Sequence, residues 1–473
     1  MSKVRLIRGD NLDVLPLLPD ESVDSIVTDP PYGLSKEPDV AEVLTHWLAG
    51  DDYNHRGGGF MGKAWDSFVP GPSVWRECLR VLKPGGYFLC FAGSRTVDLM
   101  GISIRLAGFE IRDQMQWLYG SGFPKSMDVA KALDKMGEDG SAWEGWGTAL
   151  KPAHEPIVVA RKPFRGTVAA NVLANGTGAM NIDASRIAAP GETIGPGSYS
   201  DPANQEGVVG SDLGISGADK EKFQAAQIAS VEKANAMGRF PANVVLAHHP
   251  ECQPTREVVT ERVGGGAKAS KTDSTTVDFV EGYTRGDGWT GGEITTEVWD
   301  CHPDCAVRLL DEQSGILTSG KPAGGSGPHK AKASVGKGGG PALEGSADGS
   351  LRKEGVEYHL YGDSGGASRF FYCSKTSKAE RNAGLPEGVK NDHPTVKPVR
   401  LMEYLVRLVT PPGGTVLDPY IGSGTTGIAA ANLGFDCIGI DRDDEGTYID
   451  IAAHRVKHAG GEVQKQAFVP GVA

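Results

Sequence analysis

Two short stretches of this 473-residue chain have the residue types and spacing to do chemistry. The first is Thr28-Asp29-Pro30-Pro31-Tyr32-Gly33, directly after the apolar run Val23–Val27. Two prolines fix φ and give up backbone donors, so they hold a rigid turn in which the Asp29 carboxylate and the Pro30 carbonyl converge as acceptors. An exocyclic amine, with two N–H donors, complements that pair, and Tyr32 supplies a flat face for a stacked base. Asp29, Pro30, Pro31 and Tyr32 are therefore the candidate catalytic residues.

The second stretch runs from Asp418 through Tyr420, Gly422, Gly424, Thr425 and Thr426 to Gly427, between a strand and a helix. Its Gly-x-Gly-x-x-Gly spacing is the dinucleotide fingerprint, and Asp441, 19 residues after Gly422, stands where an acid binds a ribose hydroxyl. Spacing alone leaves a nicotinamide dinucleotide open. Asp418, as an acceptor for a ligand ammonium group, favours an amino-acid-bearing nucleoside such as S-adenosyl-L-methionine over a pyrophosphate.

A third pattern suggests a metal. His248-His249-Pro250-Glu251-Cys252 and Cys301-His302-Pro303-Asp304-Cys305 echo each other, each after a strand-like apolar run, Ala242–Ala247 and Ile294–Trp299. Zinc takes four N/S ligands in closely spaced pairs, and His249, Cys252, Cys301 and Cys305 would supply a structural site.

These motifs must be held by surrounding elements. In residues 1–185, the runs Val4–Ile7, Ser25–Thr28, Tyr87–Phe91 and Pro156–Ala160 predict buried strands, and Val74–Leu82 and Arg95–Ala107 have helical spacing. Lys83-Pro84-Gly85-Gly86 is expected to stop the first helix before the next strand. In residues 369–473, helix Val399–Val409, strand Thr415–Leu417, a helix through Leu433, strand Cys437–Ile440 and a last helix to about Lys457 repeat the alternation. This predicts an α/β fold with a mostly parallel, Rossmann-like sheet and ligands at the carboxyl ends of its strands.

Residues 186–368 differ in composition. They carry 31 of the 66 glycines and −8 of the net charge of −12, and they read as a glycine-rich insertion. A chain with 48 Lys+Arg against 60 Asp+Glu is no polycation, so any nucleic-acid contact must be local. No apolar run reaches the roughly 18 residues of a membrane span and the start lacks a signal-like core, so a cytoplasmic protein with no membrane partner is expected. Seven thinly spread cysteines fit reduced thiols or metal ligands rather than a disulfide framework.

Asp-Pro-Pro-Tyr first, the glycine loop last, and His393-Pro394-Thr395-Val396-Lys397-Pro398 just before that loop resemble the amino-methylating DNA methyltransferases of the β class, phage and prophage members included. The resemblance covers about 290 residues in the two flanks and extends to Gly9-Asp10, to Arg80–Gly86, to Glu155-Pro156-Ile157-Val158 and to Phe371–Lys375. It implies a circularly permuted methyltransferase fold: a catalytic half over residues 1–185, a target-recognition insertion over 186–368, and a cofactor-binding half over 369–473. It implies S-adenosyl-L-methionine as cofactor, with Asp10, His393, Thr395, Lys397, Asp418, Tyr420, Gly422, Gly424, Thr425, Thr426 and Asp441 as its binding residues. Tyr420 stands where the family usually has Phe.

The implied reaction is site-specific methylation of double-stranded DNA in a bacterial cell or a phage-infected host. The base flips out of the duplex and its amine directly displaces the methyl group. No cysteine follows a proline, so the nucleophile of carbon-5 cytosine methylation is absent. Family members with Asp or Asn at the position of Asp29 usually methylate adenine N6, and those with Ser usually methylate cytosine N4, so adenine is favoured. Lys321, Lys330, Lys332 and Lys337, in a stretch free of acidic residues, and Lys375 and Lys378 beside aromatic residues are candidate DNA contacts. The family reading admits a homodimer and a partner restriction endonuclease without specifying either. Three alternatives stay open: cytosine-N4 methylation, an NAD-dependent oxidoreductase, and a DNA-binding specificity protein without turnover.

Overall fold

The computed structural model describes residues 2–34, 36–55, 64–119, 126–187, 238–249, 251–260, 294–315, 317–318, 364–365, 367–375, 378–443 and 446–468. Strands among them are β1 (Lys3–Arg8), β2 (Val23–Thr28), β3 (Leu82–Phe91), β4 (Glu110–Leu118), β5 (His154–Arg161), β6 (Val244–His248) and β7 (Gln253–Thr260). They continue with β8 (Ile294–Asp300), β9 (Leu317–Thr318), β10 (Ser364–Gly365), β11 (Tyr372–Lys375), β12 (Thr415–Asp418), β13 (Asp436–Asp441) and β14 (Glu462–Ala467). Ten of these form one sheet in the order β11-β6-β4-β5-β3-β2-β12-β13-β1-β14. Every neighbouring pair is parallel except the two made by β5, which runs antiparallel to both β3 and β4. The α/β, mostly parallel sheet expected from the alternation is the one observed.

Sequence periodicity explains the layers. Along β3, Tyr87, Leu89 and Phe91 enter one apolar cluster while Phe88 and Cys90 enter another, because successive side chains of a strand point to opposite faces. The first cluster packs under helices Val399–Val409, Thr425–Leu433 and Tyr448–His458; the second under Val40–Ala49, Pro72–Val81 and Val97–Leu106. Strand β2, in the middle, is buried at all six positions, as a parallel strand covered on both faces must be.

Three expectations change. Strand β3 begins at Leu82, so Lys83-Pro84-Gly85-Gly86 runs inside the strand instead of separating it from the preceding helix, which ends at Val81. Strands β4, β7, β9, β10, β11 and β14 add to the predicted set. Residues 186–368 are also not wholly separate from the sheet, since β6 lies in this stretch and pairs with both β4 and β11. Among the described residues no helix is long and apolar enough to cross a membrane.

The chain order reverses where β2 meets β12. From β12 the chain moves to β13 on one side, and from β2 to β3 on the other, which opens a crevice at the carboxyl ends of β2 and β12. Asp29 follows β2 and Asp418 ends β12, so both signature acids flank that crevice.

Candidate active site

The turn after β2 is pinned by three hydrogen bonds. Asp66 Oδ1 accepts the backbone N–H of Tyr32 (2.7 Å) and of Gly33 (3.1 Å), and Thr96 Oγ1 donates to the Tyr32 carbonyl at 2.6 Å. Gly33 has φ +65°, and a Cβ there would lie 2.8 Å from the Val69 backbone nitrogen, so this position needs glycine on both counts. Asp29 and Tyr32 are thereby fixed at the mouth of β2.

Glu155 reaches the same point from a different strand. Because β5 is antiparallel to β3, with Ile157 opposite Phe91, the start of β5 lies beside the carboxyl end of β3. Tyr32 Oη is 2.8 Å from Asp29 Oδ1 and 2.8 Å from Glu155 Oε2; its single proton can serve only one of them at a time. Lys397 Nζ lies 2.6 Å from Asp29 Oδ2 and 3.3 Å from Glu155 Oε2, and also sits over the rings of Tyr32 and Phe91 at 5.3 and 5.0 Å. The described residues thus bring the Asp29 and Glu155 carboxylates, the Tyr32 phenol and the Lys397 ammonium together, with the Tyr119 phenol also bonded to Glu155.

Burial is the main force on Asp29 and raises its carboxyl pKa; the Glu155 charge adds to this and the Lys397 ammonium opposes it. Burial acts against the Lys397 ammonium, but the two carboxylates outweigh it and leave the lysine pKa above its ordinary value. Lysine 397 thus stays charged while Asp29 is an unusually willing proton acceptor. The sequence placed Lys397 among the cofactor-binding residues. The structure places its Nζ on the Asp29 carboxylate, a candidate catalytic group.

The glycine loop lies across the crevice. Gly422 N–H donates to Asp441 Oδ2 at 2.8 Å and Asp443 N–H to Asp441 Oδ1 at 2.8 Å, so the Asp441 carboxylate is oriented by two amides. Burial lifts its pKa to about 6 against those hydrogen bonds. Asp443, at φ +42°, caps the next helix by accepting the N–H groups of Thr447, Tyr448 and Ile449. Register pairs Arg8 with Asp441, which brings Asp10 to the same end of the sheet; there Asp10 caps the short helix Asn11–Val14.

Asn11 Oδ1 is buried and has no hydrogen-bond partner among the described residues, although its Nδ2 donates to the Pro419 carbonyl at 2.7 Å. An oriented carboxylate, a neighbouring acid, a buried acceptor and a glycine loop together fit an adenosine with its ribose hydroxyls. The residues present suit S-adenosyl-L-methionine.

Asp418 departs from expectation. It is 2% exposed, and its oxygens accept Thr28 Oγ1 (2.6 Å), Thr426 Oγ1 (2.5 Å) and Tyr420 N–H (3.0 Å). Burial pushes its pKa up to about 7. Its oxygens face these partners, and it ties the end of β12 to β2 and to the glycine loop. Thr425 and Thr426 are buried with it, and Tyr420 packs edge-on against Trp75 at 6.1 Å.

The segment from His393 to Pro398 bridges the two halves of the site. A Cβ on Gly422 would lie 2.8 Å from His393 Nε2, so the imidazole rests on the glycine loop, and Thr395 is exposed between it and Lys397. Arg381 donates to the His393 carbonyl and Glu380 Oε1 accepts Val399 N–H at 2.6 Å, which fixes both ends of the segment.

The metal candidates need one correction. Cys252, Cys301 and Cys305 converge, but their imidazole partner is His248, not His249. His248 ends β6 and is buried, whereas His249 is one residue on, past the strand. There its Nδ1 accepts Glu251 N–H and its ring stacks on His302. Lys321, Lys330, Lys332 and Lys337 lie outside the described residues; Lys375 falls in β11 and Lys378 begins the helix Lys378–Asn382. Glu155 and Asp66 join the site without a sequence motif that marks them as site residues. Glu155 was visible only as part of a family-like segment, and Asp66 carries no local signal.

A family model described as DNA methylase matches residues 23–453. The chain is 43% identical over 84 residues to "Type II methyltransferase M2.DpnII" of Streptococcus pneumoniae, covering 18% of this chain and 28% of that protein. It is 24% identical over 198 residues to "Type II methyltransferase M.HindIII" of Haemophilus influenzae, covering 37% of this chain and 64% of that one. The matched lengths are thus under two thirds of either relative. Among solved structures, "PvuII DNA methyltransferase (cytosine-N4-specific)" is 13% identical at a TM-score of 0.37, covering 98% of this chain and 95% of that one. "M1.HpyAVI-SAM complex" is 13% identical at 0.33, covering 96% and 99%.

Proposed function

The chain belongs to the DNA methylase family whose model spans residues 23–453, and from that membership we propose that it methylates the exocyclic N6 amine of adenine in double-stranded DNA. The observation that carries this reading is the Asp29 carboxylate, held at the carboxyl end of β2 with an N–H donor already 2.6 Å from Oδ2. S-adenosyl-L-methionine, when bound, supplies an electrophilic methyl group.

The target base leaves the duplex, at a cost of a few kcal/mol in unstacking, and enters beside Tyr32. Asp29 and the Pro30 carbonyl accept its two amine protons, which turns the nitrogen lone pair out of the ring system and toward the methyl carbon. A nitrogen–carbon bond forms as the sulfur–carbon bond breaks, and one amine proton passes to Asp29, whose burial-raised pKa suits the task. Lys397 balances the carboxylate charge before transfer. Acceleration comes from alignment and charge placement, and no covalent enzyme intermediate is required.

Asp10, Asn11, Asp441 and the Gly422–Gly424 turn would hold the adenosine, with His393 closing over the loop. Residues 186–368 would read the target sequence. Incubation of the protein with unmethylated duplex DNA and tritiated S-adenosyl-L-methionine tests the proposal. Label should enter DNA; affinity for NAD together with no transfer would refute it.

A further inference from the structure

We propose that His248, Cys252, Cys301 and Cys305 bind one structural zinc ion that locks the middle stretch of the chain to the edge of the sheet. Their ligand atoms all lie within 4.8 Å of one another. His248 Nδ1 is 3.4 Å from Cys301 Sγ and 3.6 Å from Cys305 Sγ. Zinc–sulfur bonds of about 2.3 Å and zinc–nitrogen bonds of about 2.0–2.1 Å at a tetrahedral angle give a sulfur–nitrogen edge of about 3.5 Å. The two sulfur–nitrogen distances straddle that value.

The backbone around the cluster is arranged as two matching knuckles. In the first, Cys252 N–H donates to the His249 carbonyl at 3.0 Å; in the second, Cys305 N–H donates to the His302 carbonyl at 2.9 Å. Each knuckle also aims an amide at a sulfur of the other: His249 N–H at Cys305 Sγ (3.5 Å) and His302 N–H at Cys252 Sγ (3.4 Å). Amides aimed at sulfur favour thiolate, the form that binds metal.

The second histidine of each knuckle has a different job. His249 Nδ1 accepts Glu251 N–H and His302 Nδ1 accepts Asp304 N–H, both at 3.2 Å, and the two rings stack with centroids 4.2 Å apart. Residues 248 and 252, and 301 and 305, therefore face inward as equivalent pairs while 249 and 302 brace the knuckles.

The location explains what the ion would do. Cys252 immediately precedes β7, Cys301 immediately follows β8, and Cys305 caps helix Ala306–Ser314, so the ion closes the excursion between residues 253 and 300 at its root and joins it to β6. The apolar cluster here is small, with only Leu246, Cys252, Cys305 and Val307 fully buried among the described residues. Four protein ligands leave no open coordination position, which makes the site structural rather than catalytic.

Elemental analysis of the untagged full chain, purified without chelator or added metal, should find about one zinc per chain, released when a mercurial reagent blocks the thiols. His248→Ala and Cys301→Ser should each remove the zinc, while His249→Ala should retain it. Should the first two variants fail to fold, wild-type protein produced in cobalt-supplemented medium must show thiolate-to-cobalt charge-transfer absorption and intense tetrahedral d–d bands. Zinc near zero together with no such cobalt spectrum would overturn the proposal. Loss of zinc in His249→Ala but not in His248→Ala would overturn the ligand set.

Discussion

The Lys397 ammonium is bound to Asp29 at 2.6 Å, although 368 residues separate the two in sequence. The same short segment rests His393 on Gly422, so one strap touches both the Asp29 turn and the glycine loop. A buried carboxylate pair with a single ammonium leaves the pocket with one net negative charge. An incoming amine can share Asp29 with Lys397 because an ionised carboxylate offers about four acceptor positions.

Removal of the Asp29 side chain should therefore disable transfer without disabling cofactor binding. Asp29→Ala is expected to lower the single-turnover rate by about 10²–10³-fold or more, the range seen when one preorganised electrostatic partner is lost. Equilibrium dialysis should show S-adenosyl-L-methionine affinity nearly unchanged. Retained turnover would contradict the assignment.

Lys397→Met should move the acid limb of the pH–rate profile upward. The ammonium lowers the Asp29 pKa, so its loss lets burial and Glu155 raise that pKa further, and a higher pH is then needed to ionise Asp29. Breaking a buried ion pair from one side also costs about 3–5 kcal/mol of stability, measurable by urea unfolding. Adding Glu155→Gln should recover part of that loss. An unmoved acid limb would show that Lys397 does not act on Asp29.

If Asp441 holds the cofactor as proposed, its titration sets the pH dependence of cofactor binding. Its pKa of about 6 means that it loses its charge as pH falls through that value, so affinity for S-adenosyl-L-methionine should weaken between pH 7 and pH 5. Asp441→Asn should bind more weakly at pH 7 and lose most of that slope. The sign for folding is opposite: a carboxyl raised above its unfolded pKa holds its proton more tightly when folded, so its contribution to stability diminishes as pH rises from about 4 to 6. Urea midpoints should show Asp441→Asn gaining on the wild type across that window.

Asp66→Ala removes the acceptor for two backbone amides of the catalytic turn. Leaving buried donors unpaired costs about 1–3 kcal/mol each, so a lower melting temperature is expected with a fall in kcat larger than any change in cofactor affinity. Unchanged kcat would mean that the prolines alone hold the turn.

Strands that bury both faces were legible as apolar runs, and β2, β3, β5, β12 and β13 all carry that signal. Strand β4, Glu-Ile-Arg-Asp-Gln-Met-Gln-Trp-Leu, and edge strand β14, Glu-Val-Gln-Lys-Gln-Ala, do not. Both are mostly unburied and are held by backbone pairing to neighbours, which leaves little trace in side-chain hydrophobicity. The catalytic turn and glycine loop were readable because rigid backbone geometry demands particular residues in a row. Glu155, Asp66 and the place of Lys397 were not, since each depends on where the sheet brings a distant strand or segment. The choice between His248 and His249 turned on where β6 ends, a boundary that sequence pattern fixes only to within a few residues.

The most direct measurement is nucleoside analysis of duplex DNA incubated with the protein and methyl-labelled S-adenosyl-L-methionine, in parallel with Asp29→Ala. Labelled N6-methyldeoxyadenosine should appear with the wild type and be absent with the variant. Label in N4-methyldeoxycytidine, or equal label from both proteins, would contradict adenine methylation driven by Asp29.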